Sequence, residues 1–339
     1  MKEIKKSRKT NTGTSILVLL FIIFELGFTA VTGPFMLYYG PFEKVKSTVV
    51  GAAMTTYTLQ WLATSFISDE KIKQIMSEQT VAVIAQDNLN GVDSGVNVKS
   101  KNDNTIERYD VTGKKFKGYL LVVNDPTRLK VGYSNKLGNE GELTSDIAKD
   151  NNAIAAINGG AFTGKASESM QTGVGANPSG VIIYNGKIVY DGMNNEDQKR
   201  QAVAITKFGK LLVGAYSLKE MKKFGVTEAV SFGPAMIVNG EKTITKGDGG
   251  WGIAPRTCIA QRKDGAILLL VIDGRELGSI GVTLREAQDI LYDYGAYNAT
   301  NLDGGSSSTL FYNDEVINNP CGKSGERTVP SIIYVEKRK

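Results

Sequence analysis

The 339-residue sequence contains no histidine. That absence removes every mechanism built on imidazole, including the Ser-His-Asp triad, the HExxH zinc site and histidine-dependent phosphodiester cleavage. Acid–base chemistry must come from carboxylates, Arg, Lys, Tyr or a metal-bound water. Proline is scarce at 8 residues while glycine is plentiful at 38. That pairing points to tight hairpins and close backbone approach, not to a flexible linker protein. Only 2 cysteines occur, Cys258 and Cys321. Hydrophobic residues make up 41% and charged residues 22%, the balance of a folded chain. The net charge of +5 is concentrated in Lys2, Lys5, Lys6, Arg8 and Lys9. The remainder is close to neutral without a basic stripe, so no nucleic-acid partner is expected.

Behind the basic run lies an apolar stretch from Ile16 to Leu37, interrupted only by Glu25. Roughly 20 residues cross the hydrocarbon core as a helix, so this stretch can span it. Positive charge ahead of the span predicts a cytoplasmic N-terminus and an extracytoplasmic remainder, a single-pass protein of the cell membrane. The competing reading is a cleaved signal peptide, for which Thr29-Ala30-Val31 is a poor cleavage site. The expected organisation is a basic tail over 1–12, an anchor over 13–38, a juxtamembrane helix and polar linker over 39–104, and one domain over 105–339.

Between Ser47 and Gln79, Val50, Met54, Tyr57, Trp61, Leu62, Phe66 and Ile67 are spaced for one helical face. Tyr38, Tyr39, Tyr57 and Trp61 suit a membrane interface; the plainer reading is a stalk helix packing on itself or a second copy. Residues 86–104 are polar and without period, which reads as linker. From Ile106 onward short apolar runs alternate with turns. Tyr119–Val123 is a strand stopped by Asn124-Asp125-Pro126. Val181–Tyr184 and Ile188–Tyr190 flank Asn185-Gly186, a type I′ hairpin signal. Further hairpins turn at Phe208-Gly209 and Asp264-Gly265. Helices are expected at Leu143–Asn151, Ser217–Phe224 and Thr283–Tyr294, the last with a Thr283/Glu286 capping box. The pattern predicts an α+β fold of largely antiparallel or mixed sheets with a few flanking helices.

Two glycine pairs end strands: Asn158-Gly159-Gly160-Ala161-Phe162, and Asn301-Leu302-Asp303-Gly304-Gly305-Ser306-Ser307-Ser308. A polar residue before Gly-Gly allows a sharp turn and lets a ligand reach main-chain N–H groups; the bland alternative is two ordinary turns. Asp273-Gly274-Arg275 closes a very apolar strand, and Arg256 opens another.

Five segments occur in order: INGGAF (Ile157–Phe162), APRTCIA (Ala254–Ala260), VIDGR (Val271–Arg275), NLDGGSSST (Asn301–Thr309) and ERTVPSIIYV (Glu326–Val335). Together they resemble the phosphodiester glycosidase family from about Thr105 to the C-terminus. Thr328 and Cys258 depart from the residues common there. The resemblance implies hydrolysis of a sugar joined through its anomeric oxygen to a phosphodiester, with Asp303, Asp273, Arg256 and Asn158 lining the catalytic site. It places Gly159, Gly160, Phe162, Arg275, Gly304, Gly305, Ser306 and Arg327 around the substrate. Glycosyl transfer ordinarily uses two carboxyl groups. A phosphate leaving group needs charge neutralisation more than a proton, which Arg256, Arg275 or Arg327 would supply in bidentate contact. No cofactor is required, although Asp248, Asp273 or Asp303 would suit a lone cation. The expected partners are the membrane and a phosphate-linked or teichoic-acid-like glycan of the envelope or exopolysaccharide. A glycan binder without activity and a phosphodiesterase cleaving P–O stand as alternatives. Cys258 and Cys321 are expected either as a disulfide or, for Cys258, as a buried thiol.

Overall fold

The computed structural model describes residues 12–55, 59–79, 81–86, 95–99, 102–163 and 175–338, so the N-terminal basic run and Tyr57 lie outside the described residues. The chain divides into two compact units, Met1–Ile75 and Met76–Lys339.

In the first unit the apolar stretch is a 28-residue helix, Thr12–Tyr39. At 1.5 Å per residue it is about 40 Å long, enough to span a bilayer core with tilt. The most apolar 18-residue window of this helix has a mean hydropathy of 2.3 and holds no buried residue. Such a helix fits a signal-anchor or a signal peptide equally. The single helix expected over 47–79 is corrected to three pieces, Glu43–Thr55, Trp61–Thr64 and Asp69–Ser77. Apolar spacing carries across the breaks, but Ser68 accepts the Lys71 N–H and starts a new helix. Tyr38 stacks on Phe66, with ring centroids 5.1 Å apart, and its hydroxyl donates to Leu62 O. Tyr38 is therefore a packing residue of this unit.

In the second unit every described strand pairing is antiparallel. A seven-stranded sheet runs Ile106–Gly113, Phe116–Val123, Ile267–Ile272, Arg256–Arg262, Ala296–Asn301, Ala235–Val238, Glu241–Lys242. A second sheet of five strands runs Glu315–Val316, Leu310–Tyr312, Ala153–Asn158, Ser331–Glu336, Leu129–Tyr133; a third runs Leu211–Tyr216, Arg200–Thr206, Val226–Val230, Val181–Tyr184, Lys187–Asp191. All three contribute to one core: Leu269 and Val271 from the first meet the cluster that holds Ile157 and Ile333 from the second and Val203 and Val230 from the third. Ile267–Ile272 is buried at every residue, which explains its unbroken apolar run. Leu284–Asp293 covers the other face of the first sheet through Leu284, Ala287 and Leu291.

The unit also takes in part of the segment read as linker. Gln86 donates to Leu211 O and accepts from Val213 N and the Tyr216 hydroxyl, while Asn97 N donates to Lys263 O and Asn102 N to the Asp125 carboxylate.

Candidate active site

The site is organised by the register of the first sheet. Arg256 pairs with Ile272, and Cys258 with Asn301, on opposite edges of the Arg256–Arg262 strand. Asp273 and Asp303 follow those two neighbours, so they leave the same end of the sheet with one strand between them. Strands lie about 4.8 Å apart, which sets the two backbones roughly 10 Å from each other.

Asp303 begins the segment that crosses from the first sheet to the second. Leu302 N donates to Thr257 O at 2.8 Å and Asp303 N to Gly159 O at 3.3 Å. A single 3₁₀ turn, Gly305–Ser307, then leads into Leu310–Tyr312, which pairs with Ala153–Asn158. Asn158 fastens this crossing. Its Nδ2 donates to Asp303 O at 2.6 Å, and its Oδ1 accepts from Thr257 Oγ1 at 2.7 Å and Thr309 N at 3.2 Å. Fully buried and bonded at both ends, Asn158 positions Asp303.

Asp303 is half-buried as a residue, and its carboxyl Oδ2 is buried. Oδ1 accepts from Gly304 N at 3.0 Å. Oδ2 is buried without a hydrogen-bond partner, and so are the hydroxyls of Ser307, Ser308 and Thr309. An orphaned buried polar atom costs about 1–3 kcal/mol, so this concentration in one short segment demands an explanation. Burial pushes the Asp303 pKa up to about 6, against the smaller downward pull of the nearby Ser307 hydroxyl, which stands outside hydrogen-bond geometry to Oδ2, of Arg327 and of the Gly304 N–H.

Asp273 is also buried, which raises its pKa, but Oδ1 accepts from Asn318 Nδ2 at 2.9 Å and Asn319 N at 3.0 Å, and both donors favour the charged form. Arg275, two residues on, adopts φ +61 and is exposed. Non-glycine residues in that region are strained by about 1–3 kcal/mol, and such strain clusters at functional positions. A Cβ on Gly305, itself at φ +62, would stand 3.2 Å from Arg275 Nη2, so the glycine keeps room for that guanidinium. Arg327 lies with its guanidinium carbon 4.7 Å from the Phe162 ring centroid and reaches Ser306 Oγ at 3.4 Å. The structure thus gathers Asp303, Arg275, Gly304, Gly305, Ser306, Arg327 and Phe162 around one segment.

Other expectations are corrected. The Arg256 guanidinium is committed to backbone: Nε donates to Val282 O at 3.1 Å, and Nη2 to Trp251 O at 3.0 Å and Gly252 O at 2.6 Å. That edge cannot grip a phosphate, and complete burial lowers its pKa to about 10. The glycine amides are likewise taken: Gly159 N donates to Ser331 O, Gly160 N to Ser331 Oγ and Gly305 N to Pro255 O. Gly159 is required because a Cβ would lie 2.7 Å from Ser331 Oγ. Asp248, Asp273 and Asp303 do not converge; among the described residues no three His, Cys, Asp or Glu side chains group as metal ligands. Cys258 and Cys321 are both free thiols, Cys258 buried in its strand with its pKa pushed up to about 12. Asn318, Asn319, Thr257 and Ser331 went unrecognised in the sequence. Four hydroxyl residues directly before the apolar Leu310-Phe311 were the available signal that this polar segment runs inward.

The sequence matches the phosphodiester glycosidase family over residues 151–336. In structure the chain is similar to the catalytic domain of zebrafish N-acetylglucosamine-1-phosphodiester alpha-N-acetylglucosaminidase, with a TM-score of 0.59 and 22% identity over 72% of this chain and 87% of that one. It is similar also to a putative exported protein of Burkholderia pseudomallei, with a TM-score of 0.51 and 16% identity over 66% of this chain and 74% of that one. These likenesses show the fold. A curated relative, the SPbeta prophage-derived uncharacterized protein YomE of Bacillus subtilis, is 40% identical over 65 residues, 19% of this chain. The matched part is 10% of that relative's own length. Since the family match takes in more than half of the sequence and the α+β antiparallel architecture agrees with it, the chain belongs to the phosphodiester glycosidase family.

Proposed function

We propose that the protein hydrolyses glycosyl phosphodiesters on extracytoplasmic glycans, breaking the bond between the anomeric carbon and oxygen while tethered by its N-terminal helix. The carrying observation is the buried, unpartnered Oδ2 of Asp303, whose pKa of about 6 suits proton transfer near neutral pH. In this reading Asp303 accepts the proton of the attacking water. Asp273, whose Oδ1 accepts from Asn318 and Asn319, faces the positive charge that develops on the sugar ring. The C1–O bond breaks and its electron pair leaves with the phosphate oxygen, so a phosphomonoester departs and the hydroxyl of water stays on the sugar. Arg275 and Arg327 are placed to take up the charge of that leaving group. Arg256 and Asn158 support the site from beneath without touching substrate.

A teichoic-acid-like or other phosphate-linked envelope polymer fits an anchored domain of this type. Hydrolysis in oxygen-18 water tests the bond assignment. The label is expected on the anomeric hydroxyl of the released sugar, and the phosphomonoester should carry none. Label in the phosphate, or a sugar 1-phosphate product, would mean P–O cleavage and end this proposal. Binding without product would leave a glycan-binding protein.

A further inference from the structure

The loop Gly247-Asp248-Gly249-Gly250-Trp251-Gly252 has four glycines, at 247, 249, 250 and 252, with φ of +68, +90, +78 and +58. A backbone that turns continuously presents one large side chain, Trp251. The loop is held from below, because Arg256 Nη2 donates to Trp251 O and Gly252 O. The indole meets Phe232 edge to face, with centroids 5.7 Å apart and planes at 60°. Both rings remain partly exposed.

Each ring is tied by its backbone neighbours to the residues around Asp303. Ser231 O, before Phe232, accepts from Ala161 N at 2.8 Å, two residues past the Gly159 carbonyl that receives Asp303 N. Past Phe232, Pro234 O accepts from Asn301 N at 3.1 Å. On the Trp251 side, Pro255 O accepts from Gly305 N at 3.0 Å, next to the Arg256 that anchors the loop. No step assigned above uses either ring.

We propose that Phe232 and Trp251 form an aromatic corner that seats the sugar ring beside Asp303, so that recognition is directed at the glycosyl half of the substrate and not at the phosphodiester alone. The inference rests on the glycosyl phosphodiester reading of the site. A pyranose carries an apolar face of axial C–H bonds, and an aromatic ring offers an electron-rich face to such hydrogens. Two rings at 60° meet a six-membered ring on a face and an edge together, which a flat platform does not. The Arg256 anchor holds Trp251 in place before binding, which cuts the ordering cost.

The sequence has 2 tryptophans, Trp61 and Trp251. In the full chain with Trp61→Phe, indole emission reports on Trp251 alone. Titration with the methyl phosphodiesters of N-acetylglucosamine and of glucose is expected to change that emission saturably with at least one of them. Dimethyl phosphate, which lacks a sugar, is expected to leave it unchanged. Phe232→Leu should raise KM about tenfold while kcat stays within about twofold, the signature of lost ground-state binding. A sugar-dependent change without hydrolysis keeps the aromatic corner and removes the reaction. Hydrolysis without any change in emission removes the corner and keeps the reaction. Silence with both sugars, or an equal response to dimethyl phosphate, overturns the inference.

Discussion

Replacing Asp303 by Asn tests the coupling of site chemistry to stability. The ordinary carboxyl value is 3.8, and burial pushes this one to about 6. A raised acid pKa means the folded chain holds the proton more tightly than the unfolded chain. The protonated carboxyl therefore contributes stability that is fully present below about pH 4 and lost as pH rises through about 6. The gap corresponds to ~3 kcal/mol of stability missing above pH 7. Asparagine has nearly the same shape, can still accept from the Gly304 N–H and carries no charge to bury. Urea unfolding of Asp303→Asn and the parent should give similar values near pH 4. The variant should become more stable by about 3 kcal/mol at pH 8, while turnover falls at least about a hundredfold throughout. A gap that does not change with pH would refute the buried-carboxylate argument, and so would a variant less stable than the parent at pH 8.

If Asp303 acts as the base, kcat/KM should rise with pH and reach half its plateau near pH 6; a decline through that range would give it the role of acid. Arg256→Lys should cost about 2–3 kcal/mol in urea unfolding, because one ammonium cannot replace bonds to three carbonyls; unchanged stability would mean the clamp is dispensable. Thiol titration should find two free groups, with Cys258 reacting only after denaturation, and a mass of the unreduced chain lower by two hydrogen atoms would restore the disulfide. On intact cells, protease should remove a C-terminal tag and spare the N-terminal lysines; a protected C-terminal tag would reverse the orientation.

Elements specified by local chemistry could be read from the sequence. Asn185 and Gly186 both have positive φ, as the type I′ signal requires, and Thr283 forms the full capping box with Glu286. Asp303 stood out through its place before Gly-Gly. What could not be read depends on partners distant in the chain. Arg256 resembles a phosphate ligand until its reach to the carbonyls of Trp251, Gly252 and Val282 is known. Asn158 looks like a second catalytic residue, yet its amide joins residues 99, 145 and 151 positions away. Residues 86–104 have the composition of a linker, and only the tertiary fold shows Gln86 bridging the backbone of Leu211 and Val213.

The crossing segment that carries Asp303 has a consequence for how this protein fails. One end belongs to the seven-stranded sheet, the other to a five-stranded sheet, and Asn158 locks both. Among the described residues the Asp303 carboxyl is held between sheet strands and not on a peripheral loop, so little of that arrangement can be lost by partial melting. Heat inactivation should therefore coincide with global unfolding in a single cooperative transition, and residual turnover should serve as a direct count of intact molecules.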